Sequence, residues 1–316
     1  MKRYQEPDYL PWDGRRVPLT FLSGYLGSGK TTLLNRVLAA ADAPIAVLVN
    51  DAGKVNLDAR LIRRRHGNTI ELTDGCVCCS LSDGFGAAFD QLRARDRPPD
   101  HVVVELSGVA EPDRVLPWAR SAGFKLDGVL TLVAADQVHE LSTEPIIELT
   151  LMKQLLSADL IVLTKVDLVS GAQRAAAEEH VRDLIRKGMA AGFARSDAHP
   201  LDTPILSSDD PTLATTLLHL GGRADADIGD LPAPTLFDHH VAESVTLADP
   251  IELEELDRVL ASLGGDVVRA KGIARDRDDR RWNIQVVGSR TSVVELPAAE
   301  RAEPTDLVVI RVPGKS

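Results

Sequence analysis

Short apolar runs separated by helical periodicities organise the first two thirds of the chain. Val17 to Ser23, Ile45 to Asn50, Val102 to Leu106, Val129 to Ala134, Leu160 to Thr164 and Pro204 to Ser207 carry almost no charge, and Thr69 to Leu72 is strand-like. Runs of this length suit strands buried on both faces of a sheet. Between them, apolar residues recur at helical spacing over Thr31 to Ala41, Gly84 to Ala94, Glu148 to Ser157 and Ala172 to Ala190. Alternation of this kind predicts an α/β domain whose mostly parallel sheet has helices on both faces and right-handed crossovers. Ligands of such sheets bind beyond the carboxyl ends of the strands.

The pattern changes at Gly221 to Pro234, which lacks apolar periodicity and is rich in Gly, Ala, Asp and Pro. Beyond it, Val241 to Leu247, Val267 to Ile273, Trp282 to Val287, Ser292 to Leu296 and Asp306 to Val312 read as strands, and Ile251 to Leu263 as a helix. The expected organisation is therefore an N-terminal extension over 1–16, the α/β domain over 17–220, a linker over 221–235 and a small α+β domain over 236–316. The 316 residues are enough for two domains.

Composition narrows the class. A net charge of −11 disfavours nucleic acid as a partner, because that binding rests on clustered Lys and Arg. The arginines at Arg275, Arg277, Arg280 and Arg281 are interleaved with Asp276, Asp278 and Asp279, as in a solvated loop. The N-terminus has no apolar signal region and no segment approaches the roughly 18 apolar residues of a membrane span, so a cytoplasmic protein is expected. Three cysteines crowded into four positions form no disulfide framework and suit a reducing compartment.

Chemistry enters at Gly24 to Thr32, G-Y-L-G-S-G-K-T-T, which satisfies G-x-x-x-x-G-K-[ST] between a predicted strand and a predicted helix. Gly24, Gly27, Ser28, Gly29, Lys30, Thr31 and Thr32 are the candidate phosphate contacts. The glycines let backbone N–H groups surround the β-phosphate, Lys30 spans the β- and γ-phosphates, and the Thr31 hydroxyl ligates Mg²⁺. Lys30 and Thr31 also fall at a helix N-terminus, where dipole and free N–H groups favour an anion.

Thr164-Lys165-Val166-Asp167 closes the Leu160 to Thr164 strand as a T/N-K-x-D box. There the Asp167 carboxylate can accept the N1–H and exocyclic amine of guanine while the Lys165 stem packs over the base. Adenine would leave that carboxylate unpaired, so GTP and GDP are preferred over ATP. Glu105 ends a strand and Gly108 follows in E-L-S-G. Glu105 is a candidate to approach Mg²⁺ through water or to orient the attacking water, and Gly108 to present its N–H to the γ-phosphate. Asp51 and Asp58 follow the Ile45 to Asn50 strand, and Asp58 is the preferred additional magnesium candidate.

Gly75-Cys76-Val77-Cys78-Cys79 is the second chemical feature. Thiolates bind Zn²⁺, Cu(I) and related ions, and Cys76, Cys78 and Cys79 can fill three tetrahedral positions. A redox pair and buried structural cysteines are the alternative uses. An incomplete shell suits transfer, and its open position admits a ligand from a second chain, so a homodimer is among the assemblies considered.

With the P-loop, G-C-V-C-C, E-L-S-G-V-A-E-P and T-K-V-D in this order, the chain resembles the CobW family of P-loop GTPases. The likeness extends through Gln154 to Leu168 and to Arg269-Ala270-Lys271-Gly272 in the tail. It implies a slow GTPase whose nucleotide state governs transfer of a transition metal, zinc or cobalt, to a client metalloprotein. By the same likeness Cys76, Cys78 and Cys79 are the ligands and Glu105 belongs to the Mg²⁺ and hydrolysis machinery. Where the family often carries N-E-F-G-E, this chain has Asn50-Asp51-Ala52-Gly53-Lys54, which replaces one carboxylate with a cation. The competing readings are a metal- or redox-sensing regulatory GTPase that delivers no ion, and an ATP-dependent phosphotransferase, which T-K-V-D disfavours.

Overall fold

The computed structural model describes residues 11–40, 44–49, 69–71, 88–193, 200–221, 241–264, 266–287, 290–296 and 304–311. They fall in two compact units, one ending at Gly221 and the other beginning at Val241 among the described residues.

Seven parallel strands form the sheet of the first unit: β1 (Val17–Gly24), β2 (Ile45–Val49), β3 (Thr69–Glu71), β4 (His101–Glu105), β5 (Phe124–Ala134), β6 (Leu160–Thr164) and β7 (Ile205–Ser207). Their order is β3-β2-β4-β1-β5-β6-β7. Every residue of β2, β4 and β6 is buried, the pattern of strands covered on both faces. After β1 the chain builds toward one edge, returns through β4, and continues through β5 to the other edge. The direction therefore reverses around β1, which is where open α/β sheets bind ligands.

β5 starts at Phe124, five residues before the predicted Val129. Exposed Lys125, with Asp127 and Gly128, hides the strand from an apolar-run criterion, but Asp127 has local partners. Its carboxylate accepts the Leu220 and Gly221 N–H groups at 3.0 and 3.3 Å. The Thr20 hydroxyl lies 3.3 Å from that carboxylate and 2.8 Å from Nε2 of buried His101.

The Lys30–Ala40 helix follows the loop after β1. The Pro145–Leu156 helix starts three residues before the predicted Glu148 because Pro145 presets the first helical φ. Gly171–Ala190 starts at a capping box, with Ser170 Oγ accepting the Gln173 N–H and Gln173 Oε1 accepting the Ser170 N–H at 2.9 Å.

The second unit is a five-stranded antiparallel sheet of β8 (Val241–Val245), β9 (Val267–Arg275), β10 (Arg281–Val287), β11 (Arg290–Glu295) and β12 (Leu307–Arg311), in the order β11-β10-β9-β12-β8. The Leu253–Ala261 helix contributes Leu256 to a core with Ile251, Val267, Ala270, Ile284, Leu307 and Val309. The Arg/Asp cluster is the β9–β10 turn. Asp276 accepts the N–H groups of Asp278 and Arg280, the Arg280 Nε at 2.8 Å and the Trp282 Nε1 at 3.0 Å. Arg275 and Arg277 pair with Asp249 and Glu252, so the positive charge is compensated locally. No helix among the described residues is long and apolar enough to cross a membrane.

Candidate functional site

The carboxyl ends of β4, β1 and β5 lie side by side, with Leu22 opposite Glu105 and Gly24 opposite Leu132. At Gly24 the chain leaves β1 with φ of 133°, and a Cβ there would overlap the Leu132 carbonyl oxygen, so any side chain would break the turn against backbone. The Ser28 N–H closes back on the Tyr25 carbonyl at 3.1 Å, and the Leu33 N–H bonds Gly29 to start the helix. Lys30 is buried at the first helical position and curls over the preceding loop. Its ammonium donates to the Gly24 and Tyr25 carbonyls at 2.6 and 3.2 Å. The result is a backbone turn with a cation fixed beside a helix N-terminus, a geometry suited to an anion. Burial, helped by Glu144, pushes the Tyr25 phenol up, so it stays protonated and is no base.

Gly27 and Ser28 lie within this turn, and Thr32 is exposed on the first helical turn. Thr31 is half-buried and its hydroxyl donates to Oε1 of Glu105 at 2.9 Å, across 74 residues of sequence. Glu105 is buried. A hydroxyl and a carboxylate meeting at the mouth of a phosphate loop form a hard oxygen donor set that fits Mg²⁺, which is bound by one or two protein oxygens plus phosphates and water. Thr31 and Glu105 would hold it, and the ion would supply charge to the β- and γ-phosphate oxygens.

Gly108 sits flush against the P-loop: a Cβ there would lie 2.7 Å from the Leu26 backbone nitrogen. The segment is anchored at its start by the Leu106 N–H bonding Leu22 O at 2.9 Å. Behind it, Nε2 of fully buried Gln154 donates to the Gly108 and Ala110 carbonyls, each at 3.0 Å.

On the β6 side, the Thr164 hydroxyl donates to the Ser28 carbonyl at 2.7 Å, joining the T-K-V-D strand end to the phosphate loop. Lys165 takes a left-handed conformation, φ 55°, and its ammonium donates to Oε1 of Gln137 at 3.0 Å, with Asp136 at 3.8 Å. Asp167 is exposed in the short turn that follows. The end of β7 joins the same rim: the Ser208 N–H bonds Leu163 O at 2.8 Å, and Arg36 of the P-loop helix donates to Ser208 O at 2.6 Å.

Lys30, Thr31, Glu105, Gly108 and Thr164 are thus brought together with Gly24 to Gly29. Cys76, Cys78, Cys79, Asp51, Lys54 and Asp58 lie outside the described residues. Among the described residues no group of three or more His, Cys, Asp or Glu could hold a metal ion.

Among the motifs, Gln154 is legible only as the first residue of the family-like Gln154 to Leu168 stretch, with no role attached, and Gln137 belongs to no motif. Gln154 had one usable signal, an amide at a core-facing position of an otherwise apolar helix face with Ile147, Leu151 and Leu155. Gln137 had none, because its meaning depends on Lys165 arriving from another strand.

A family profile described as "CobW/HypB/UreG, nucleotide-binding domain" matches residues 18–190, and one described as "Cobalamin synthesis protein cobW C-terminal domain" matches residues 242–315. The chain is 31% identical to a protein named zinc chaperone CobW from Sinorhizobium sp, over 87% of this chain and 86% of that protein. It is 29% identical to another of that name from Pseudomonas aeruginosa, over 93% and 87% of the two chains. A protein named zinc chaperone YjiA from Escherichia coli is 36% identical over 50% of this chain and 52% of its own.

Proposed function

The chain belongs to the CobW/HypB/UreG family of P-loop GTPases, and from that premise we propose that it is a GTP-hydrolysing metallochaperone of the cytoplasm. It takes a transition metal, zinc or cobalt, at Cys76, Cys78 and Cys79 and hands it to a client metalloprotein. The observation that carries the nucleotide half is the meeting of Thr31 Oγ1 and Glu105 Oε1 beside Lys30, at the end of β1.

In this reading the backbone of Gly24 to Gly29 and Lys30 hold the β- and γ-phosphates. Thr31 and Glu105 hold Mg²⁺, with Asp58 as a further carboxylate, and Gly108 offers its N–H to the γ-phosphate. Asp167 reads guanine while Lys165, steadied by Gln137, covers the base. Turnover is slow and resets the protein between loading and release, and a homodimer can complete the open thiolate shell. Residues 221–235 link the GTPase domain to the C-terminal domain, where the client docks. The names of the relatives support zinc as the cargo.

Two measurements test this. Competitive Zn²⁺ titration of a Cys76→Ser, Cys78→Ser variant should show a dissociation constant weakened by about a hundredfold or more, since soft ligands leave the shell; an unaltered constant defeats the site. Labelled Zn²⁺ or Co²⁺ should pass to a client with GTP and not with a non-hydrolysable analogue. Binding without transfer would instead describe a metal-sensing regulatory GTPase.

A further inference from the structure

The Pro145–Leu156 helix holds both ends of the segment 108–111. Gln154 donates from one nitrogen to the Gly108 and Ala110 carbonyls, and its neighbour Lys153 donates to Oε1 of Glu111 at 2.7 Å. Arg114 takes the other Glu111 oxygen at 2.8 Å. The helix is itself tied to β5, where the Thr131 hydroxyl donates to the Gln154 carbonyl at 3.1 Å.

We propose that Gln154 is a positioning residue for discrimination between GTP and GDP, holding Gly108 against the P-loop through the Gly108 and Ala110 carbonyls. The proposal rests on the reading that Gly108 presents its N–H to the γ-phosphate. Glycine has the widest backbone freedom of any residue, so a glycine used as a phosphate contact must be fixed from outside. Contact with Leu26 limits it, and the Gln154 amide fixes the 108–109 and 110–111 peptide planes. The Ala110 N–H, bonding Ser107 O at 2.9 Å, extends that restraint to the 107–108 plane, which holds the Gly108 N–H. Burying an amide is unfavourable unless it is hydrogen-bonded. Oε1 of Gln154 has no partner among the described residues, and the compensation this amide does gain, both bonds of Nε2, goes to this one segment. GDP lacks the phosphate that Gly108 would meet, so Gln154 should matter for GTP and little for GDP.

The test uses Gln154→Met in the full chain, which keeps the volume and removes both donors. Affinities for GDP and for a non-hydrolysable GTP analogue are measured with Mg²⁺, beside thermal unfolding. The variant should lose about tenfold in affinity for the analogue relative to GDP, with GDP affinity nearly unchanged. Equal losses for both nucleotides, or an unchanged ratio in a folded variant, would overturn the inference alone. Failure of the unaltered protein to bind guanine nucleotides would overturn the underlying reading and the inference with it. A second measurement needs no variant: hydrogen exchange at Ala110 of the unaltered protein, whose N–H bonds Ser107 O at 2.9 Å, should be equally slow with GDP and with the analogue, while the Gly108 N–H exchanges faster with GDP. Fast exchange at Ala110 with GDP would show that Gln154 does not hold the segment.

Discussion

Asp167 is exposed at the end of a strand whose last residue, Thr164, is bonded to the phosphate loop. An exposed carboxylate contributes little to folding, so its removal should separate recognition from stability. Asp167→Ala is expected to weaken GTP about a hundredfold while leaving the unfolding midpoint within a degree or two, since a site built to pair a polar edge discriminates strongly. Isothermal titration with GTP and ATP checks this, and the GTP preference should shrink with the affinity. His101 shows the opposite balance. Burial first, then His219, lowers its pKa from 6.5 to about 4, against the opposing pull of Asp127. A histidine held neutral in the fold but able to protonate when unfolded stabilises fully above about pH 6.5. That contribution is lost as pH falls from 6.5 toward 4, by at most about 1.4 kcal/mol per unit. Denaturant unfolding at pH 7 and pH 5 should therefore show lower stability at pH 5, and His101→Gln should flatten that slope.

The helices that frame the site are set by their ends. Ser170 and Gln173 cap the Gly171–Ala190 helix reciprocally, and Lys187 pairs with Glu148 of the Pro145–Leu156 helix at 2.6 Å. Ser170→Ala should cost about 1 kcal/mol of stability, read as a lower denaturant midpoint, without changing nucleotide affinity. The sheet was legible because its strands are uninterrupted apolar runs, and the P-loop because strand, glycines and helix follow one another in sequence. β5 was only half legible: Asp127 and Gly128 look like a turn until Leu220 and Gly221 arrive to use the carboxylate. The Thr31–Glu105 pair was expected as two separate magnesium candidates, and parallel pairing of β1 with β4 brings them within bonding distance. Gln154 and Gln137 became meaningful only through partners 28 to 46 residues away, a relation that helical or strand periodicity does not encode.

For the whole molecule, the sheet gathers residues from five strands and their following loops onto one rim. The phosphate loop comes from β1, the acid and Gly108 from β4, Gln137 from beyond β5, T-K-V-D from β6 and Ser208 from β7. Nucleotide binding should accordingly stabilise the entire first unit by mass action, by about 2.7 kcal/mol at a hundredfold excess over the dissociation constant. The second unit has its own sheet, core and closed Arg/Asp turn.

One bond gives this arrangement a further property. The Thr164 hydroxyl ties the T-K-V-D strand end to the Ser28 carbonyl, and in the proposed reading these are the parts that would meet the base and the phosphates. Guanosine and pyrophosphate offered as separate molecules must each give up their own translational freedom. Joined in one molecule, they meet two subsites already set at the right span, and the second engagement becomes intramolecular. On that reading the protein would measure the length of its ligand as well as its ends.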